Sequence, residues 1–503
     1  MFHGPSGWPR GASGRRPAER ACWIRRQAGE GKQAVLDLVV TNGTVVHADG
    51  SHPAWVGVAR GAIAAVGTGE APTARKTIDA AGCLVLPGVV DAHVHGTWED
   101  SLIGPEEFFA AETRSAACGG VTTVIDYAEQ LKGETLGERI AKRKAELRTA
   151  CVDFAVHCAV TDVTPGILAE IQDVLAAGIP SFKVFTTYAG SKLEDPDLYA
   201  VAEAVGRAGG ILCVHAENDA IIERRRAQYA RDGQWDPIYH ARSRPEICEA
   251  EAIYRVGGFA REAGCHVHIV HLSSASGLRA VREMRALGAR MTAETCPQYL
   301  LLSEEAYQGP DGRHVIMSPP LRAKEGIPAM WGGVMDGSFT AVVTDHCPFP
   351  RRMKEASTRF TEVPGGIPGL ETLLPLMYSE GVGRGRITAE RLVSLLCTGP
   401  ADLFGLAAKG RIRAGYDADL VVFDPAAQWT IEPAALHGSS DFTPYSGMQV
   451  TGRVRVTVWR GDVIYEGGRF TGAPAPGRFQ ARYLARGPGA GGRGPGSDVR
   501  RAA

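Results

Sequence analysis

The chain of 503 residues lacks several things that would steer it toward other classes of protein. No apolar run reaches the ~18 residues that a membrane-spanning helix needs, so no membrane partner is expected. No sign of charge dominates. Lys and Arg total 55 against 56 Asp and Glu, a formal net charge of −1, which leaves no long-range field to attract nucleic acid. There is no C-x-x-C pair among eleven scattered cysteines. An odd, unpatterned set suits reduced thiols in a cytosol better than a disulfide framework, and a cytoplasmic location is expected. A glycine-rich dinucleotide turn is also missing. What remains, 44% hydrophobic and 22% charged residues, is ordinary for a soluble globular enzyme.

The two ends differ from the rest. Residues 1–34 place Arg10, Arg15, Arg16, Arg20, Arg25 and Arg26 among Gly, Pro and Ala without an apolar core, and read as a disordered basic tail. Residues 476–503 read as a C-terminal extension, Gly/Pro/Arg-rich and disordered from about 486.

Between them the periodicity changes twice. From Val35 to Cys83 it is two: Leu36–Val40, the Asn42-Gly43 turn and Thr44–Val46 predict one hairpin, and Trp55–Val58 with Ile63–Val66 a second. Near the other end, Ala418–Phe423 predicts a strand, and Val454–Trp459, Arg460-Gly461-Asp462 and Val463–Tyr465 a third hairpin. Neither piece has strands enough for a core of its own. Residues 35–86 and 406–475 are therefore expected to pair into one small β-sandwich domain. Residues 87–405 alternate short apolar runs with amphipathic stretches. Eight runs stand out: Val89–His95, Val121–Tyr127, Phe154–Val160, Ser181–Phe185, Ile211–His215, Val267–His271, Met291–Thr295 and Ala341–Asp345. Eight strand–helix units close a (β/α)8 TIM barrel, giving an α/β fold overall; a doubly wound open sheet is the competing architecture.

Reactive groups of such a barrel lie at the C-terminal ends of its strands. Those ends carry His93 and His95, then His215, His271 and Asp345, while Lys183 sits inside an apolar strand. A single strand-end histidine is commonly structural, and an isolated aspartate there often caps a helix. Lys183 is harder to explain away, because an unpaired ammonium in an apolar strand is costly. A desolvated lysine prefers to be neutral, and a neutral amine reacts with CO2 to a carbamate whose two oxygens can bridge two divalent metals. Imidazole with carboxylate-like oxygen suits Zn2+, with Mn2+, Co2+ or Fe2+ as alternatives.

Several segments together resemble one known family. PGVVDAHVH, GIPSFKVFTTY, VHAEN, HARSRPEICEAEAI, HIVHLSS, AETCPQYL, MSPPLR, VVTDHCPF and GGIPGLETLLPLMYSEG are similar, in order, to the amidohydrolase superfamily and its hydantoinase/dihydropyrimidinase group. FTPYSGM and GRFQARY extend the likeness, which spans Val35 to Arg482. The resemblance implies a binuclear centre: His93, His95 and Asp345 on one metal, His215 and His271 on the other. Lys183, as N6-carboxylysine, and a hydroxide would bridge them. It further implies that Asp345 moves the proton, that Tyr188 binds substrate and donates to the oxyanion, and that the Ser318 backbone holds the ureide edge of the substrate, as does the neighbourhood of Cys296. The reaction implied is opening of a cyclic amide or ureide, a hydantoin or dihydropyrimidine, to an N-carbamoyl amino acid. Allantoinase is the alternative enzyme, and a non-catalytic scaffold the alternative class. The resemblance also implies a homotetramer or homodimer. Two departures bear on the substrate. Gly96–Asp100 follows His95 where the family runs longer, and Pro364-Gly365-Gly366 has glycine where many dihydropyrimidinases carry asparagine. His157, His266, His268 and His346 are expected to be structural.

Overall fold

The computed structural model describes residues 35–96, 99 and 103–484. The expectations for residues 1–34, for Thr97, Trp98 and Asp100, and for the chain beyond 484 fall outside the described residues.

The first strands are β1 (Leu36–His47), β2 (Gly50–Ala59), β3 (Ala62–Gly67), β4 (Ala74–Asp79) and β5 (Leu84–Pro87). The Asn42-Gly43 pair does not turn the chain back, as the hairpin expectation had it. β1 runs straight through, with a bulge between Val40 and Gly43 in its pairing with β2. Asn42 takes a left-handed φ of 60° and its Nδ2 donates to Asp79 Oδ1 at 2.9 Å. The kink lets β1 change partners: Leu36–Thr41 pair in parallel with β4, and Thr44–Val45 with β5. An Asn-Gly signal flanked by alternating residues fits a bulge as well as a turn.

The later strands are β14 (Leu420–Thr430), β15 (Gln449–Trp459), β16 (Asp462–Glu466) and β17 (Arg469–Phe470). β14 pairs antiparallel with β5, Leu84 opposite Phe423 and Pro87 opposite Leu420, so both chain ends join one nine-stranded sheet. The sheet curls around its own core of Val40, Val56, Val58, Ile63, Val85, Leu420, Val422 and Val456. It folds back on itself where Ile63 N–H donates to Tyr416 O and Ala418 N–H to Gly61 O.

Strands β6 (Val89–Val94), β7 (Val121–Glu129), β8 (Asp153–Ala159), β9 (Ser181–Phe185), β10 (Ile211–His215), β11 (His266–Ile269), β12 (Met291–Thr295) and β13 (Ala341–Val342) lie side by side in chain order. All are parallel. The ring closes where Val94 bridges His346 and His95 N–H donates to His346 O at 2.7 Å. Sequential order with closure is a barrel; a doubly wound sheet would reverse direction from a central strand. Helices Pro105–Cys118, Pro165–Ala176 and Glu246–Ala263 are among those packed outside. β11 and β13 stop short of the runs read from sequence. The last residues of those runs, His271 (φ 37°) and Asp345 (φ 53°), leave the extended region.

Two contacts fasten the parts together. Lys409, fully buried, places Nζ 2.5 Å from Asp153 of β8, 2.6 Å from Asp419 and 3.1 Å from Asp417. These three carboxylates keep it charged against its burial. Beneath the barrel, Phe479 bridges Phe154, and buried Arg482 donates to Val156 O and to Ser181 Oγ. The Phe479–Tyr483 stretch thus docks on the barrel floor.

Candidate metal centre

Strand parity puts His93 and His95 on one face at the upper end of β6. His93 Nε2 lies 3.2 Å from His95 Nε2 and 3.2 Å from Asp345 Oδ1, and His95 Nε2 is 3.4 Å from the same oxygen. A tetrahedron with metal bonds of about 2.0–2.1 Å has edges of about 3.3 Å, so the three atoms already stand at the spacing of ligands around one cation. Across the rim, His215 Nδ1 and His271 Nε2 approach to 2.9 Å. His93, His271 and Asp345 also offer donor atoms within 4.8 Å of one another, which joins the two sets. Lys183 is buried, with Nζ 4.9 Å from the centre of the Tyr127 ring. No carboxylate pairs with it among the described residues.

The electrostatics favour neutral, ligating nitrogens. Burial drives His93 and His271 well below the ordinary histidine range and lowers His215. Lys183 is pulled down by burial too. His95 differs: its hydrogen bonds to Asp345 and Glu129 overcome desolvation and raise it to about 9. The donor set, nitrogen and carboxylate oxygen without thiolate, fits divalent zinc-like cations.

Residues outside the candidate donor set orient it. His93 Nδ1 donates to Glu294 Oε1 at 2.5 Å. Glu294 Oε2 accepts from His268 Nε2 at 3.0 Å, whose Nδ1 meets Thr292 Oγ1, itself 3.0 Å from His266 Nε2. His268 and His266 are structural, as expected, but they form a column leading from a ligand down the barrel interior. On the other side, His215 Nε2 donates to Glu217 Oε2 at 2.8 Å, and Arg244 Nη1 to the same oxygen. Against burial, Arg244 and His215 hold the Glu217 carboxyl down to about 2. Such outer partners fix ring orientation and tautomer. A clue existed: Glu217 and Glu294 each lie in a segment, VHAEN or AETCPQYL, at a strand end.

Tyr188 follows β9 in a left-handed conformation, φ 82°. Its ring lies 4.8 Å from that of His215, its hydroxyl meets the Ser318 side chain, and Arg244 sits 5.5 Å from its ring centre. Left-handed backbone at a non-glycine residue costs about 1–3 kcal/mol; Tyr188, His271 and Asp345 all bear it, so strain gathers on this rim. Ser318 precedes a cis proline, Pro319, and His240 Nε2 donates to the neighbouring Met317 O at 2.8 Å. Cys296 is buried at the end of β12, and its thiol is pushed up by burial. His346 faces away, to Glu112 at 2.8 Å, and His157 bridges Ser181 Oγ and Ala92 O.

A model of the amidohydrolase family matches residues 84–464. A D-phenylhydantoinase from Escherichia coli (strain K12) is 38% identical over 454 residues, covering 89% of this chain and 98% of that protein. Among solved structures, the dihydropyrimidinase from Brevibacillus agri is similar with a TM-score of 0.85 at 34% identity, covering 89% of this chain and 99% of that one. The L-hydantoinase (dihydropyrimidinase) from Arthrobacter aurescens gives 0.82 at 31% identity, covering 89% and 100%.

Proposed function

The chain belongs to the amidohydrolase family, in its hydantoinase/dihydropyrimidinase group, and from that premise we propose that it hydrolyses the C–N bond of a cyclic ureide. A hydantoin or dihydropyrimidine ring opens to an N-carbamoyl amino acid. The observation that carries this reading is the pair of donor sets, His93/His95/Asp345 and His215/His271, with buried Lys183 in the same barrel mouth.

In this reading those residues hold two divalent cations, zinc being the metal best suited to the donors, and Lys183 carries a carbamate formed from CO2 with release of a proton. When bound, the cations would polarise a carbonyl and acidify a water. Asp345 takes the proton of the attacking water and returns it to the ring nitrogen as the C–N bond breaks. Tyr188 donates its phenolic proton in a hydrogen bond to the developing oxyanion; burial keeps that phenol protonated. The Ser318 segment lines up the ureide edge. The domain limits of 87–405 for the barrel and 35–86 with 406–475 for the β domain belong to the same proposal. So do a homotetramer or homodimer and a cytoplasmic location. The described cysteines are all free thiols, which suits a reducing compartment, and no helix of the described residues is long and apolar enough to cross a membrane.

The test is a substrate panel on purified protein with metal analysis alongside: hydantoin, 5-substituted hydantoins of both hands, dihydrouracil, allantoin and dihydroorotate. Two metals per chain and ring opening of a hydantoin or dihydrouracil are expected. Metal-free protein inert toward the whole panel would overturn the proposal.

A further inference from the structure

Lys354 is a fully buried lysine outside the metal centre, on the short helix Arg351–Lys354. No carboxylate pairs with it among the described residues. Its Nζ donates instead to two backbone carbonyls, Ile316 O at 2.8 Å and Pro364 O at 2.7 Å. Burial lowers it to about 7. An amine removed from water without a counter-ion is an expensive way to fill space, and a leucine or methionine would fill it without that cost. What a long donor supplies here, and an apolar side chain would not, is a side-chain tie between two loops far apart in sequence.

Those loops border the rim described above. Gly366 N–H also donates to Ile316 O, at 3.0 Å, and Cys347 N–H to Ile367 O at 2.9 Å, which anchors the second loop two residues after Asp345. The first loop is held at three consecutive residues by three different groups. Lys354 takes the Ile316 carbonyl, His240 the Met317 carbonyl, and Tyr188 meets the Ser318 side chain. In the second loop Gly366 packs closely on Cys347, whereas Gly365 carries no side chain and a Cβ there would meet nothing nearer than Met317 Cα at 4.0 Å, so the tie at Pro364 O steadies the end that side chains do not.

We propose that Lys354 is a positioning residue that clamps the Ile316–Ser318 and Pro364–Gly366 loops together, so that affinity for the substrate ring depends on it. The inference rests on the cyclic-ureide reading for the identity of the ligand, but the clamp itself is a matter of backbone geometry. It separates two functions of the rim: the metal-ligand set is untouched by Lys354, whereas the wall that meets the ring is set by it. Loss of the clamp removes binding made equally in ground and transition states, which raises KM and leaves kcat in place.

The experiment compares full-length wild type with Lys354→Met, and with Lys354→Gln should the first variant fold poorly. It measures kcat, KM, metal content and amide hydrogen exchange. The expected result is a KM raised by about tenfold or more, the loss of one or two good hydrogen bonds. kcat and metal content stay near wild type, and exchange is faster in both loops. An unchanged KM, or a fall in kcat with KM constant, overturns the clamp. Should wild type open no cyclic ureide, the functional reading fails while exchange still decides the clamp. Faster exchange at 314–318 and 364–367 together upholds it, and unchanged exchange overturns it.

Discussion

Lys183 and Glu294 show how differently single residues serve one rim. Lys183 contributes a nitrogen that burial pulls toward neutrality, the state from which a carbamate forms. Lys183→Ala is expected to lose the second metal and essentially all turnover while the far-ultraviolet dichroism stays native, since a barrel interior position tolerates a smaller side chain. Full metal occupancy with wild-type rate in that variant would refute the carbamate assignment. Glu294 touches no substrate but accepts from His93 Nδ1. Glu294→Gln keeps its volume and gives up its charge. Because outer-shell partners of this kind are worth about 10–100-fold in metal affinity, competition against a chelator should show weakening in that range. The candidate donors were legible in the sequence because all but Lys183 stand at or near the end of an apolar run, where a barrel puts its chemistry, and Lys183 is a charge inside one. Glu294 and Glu217 were not, since their role depends on which atom across the barrel they meet. Lys354 was hidden more thoroughly: in PRRMKEA it reads as one of several solvent-facing charges.

Elements differ from their sequence expectations chiefly where the backbone bends. β11 and β13 end before their apolar runs do, and the last residues of those runs, His271 and Asp345, adopt positive φ; hydropathy carries no record of a dihedral angle. β1 bulges where a turn was expected, because a short Asn-Gly signal does not say whether the chain reverses. Elsewhere the match is close: Ser181–Phe185, Ile211–His215 and Met291–Thr295 fall where periodicity puts them. The start of β11 gives a pH prediction. Burial brings His266 down to about 3 from an ordinary 6.5. Between those values the unfolded chain binds the proton and the folded one does not, so stability falls as pH drops below 6.5. The slope is about 1.4 kcal/mol per pH unit for this one group. Urea midpoints at pH 7 and pH 5 should differ less in His266→Gln than in wild type.

At the scale of the molecule, the barrel and the curled sheet are held as one body by buried charge as well as apolar packing. Lys409 sits among Asp153, Asp417 and Asp419, with Arg460 also 2.7 Å from Asp153. Lys409→Met should lower unfolding free energy by about 3–5 kcal/mol, because it strands carboxylates in a dry interface. Calorimetry checks this, and a change within error would mean that water or Arg460 compensates the loss. The eightfold alternation and the split β domain were legible from the sequence because hydrophobic period distinguishes half-buried strands from fully buried ones. The floor under the barrel was not: Arg482 lies in a polar, glycine-flanked tail, and nothing local says that it turns inward.

The pairing of β5 with β14 has a consequence in time. Leu84 meets Phe423 only after more than 330 further residues have been made. At about 5–20 residues per second of synthesis, the open edge of β5 waits roughly 20 to 70 s for its partner. An unpaired, apolar strand edge exposed that long is a template for the wrong neighbour. The half-sheet is thus open to mispairing for as long as the barrel is being made, and slowing translation between the two halves would lengthen that interval.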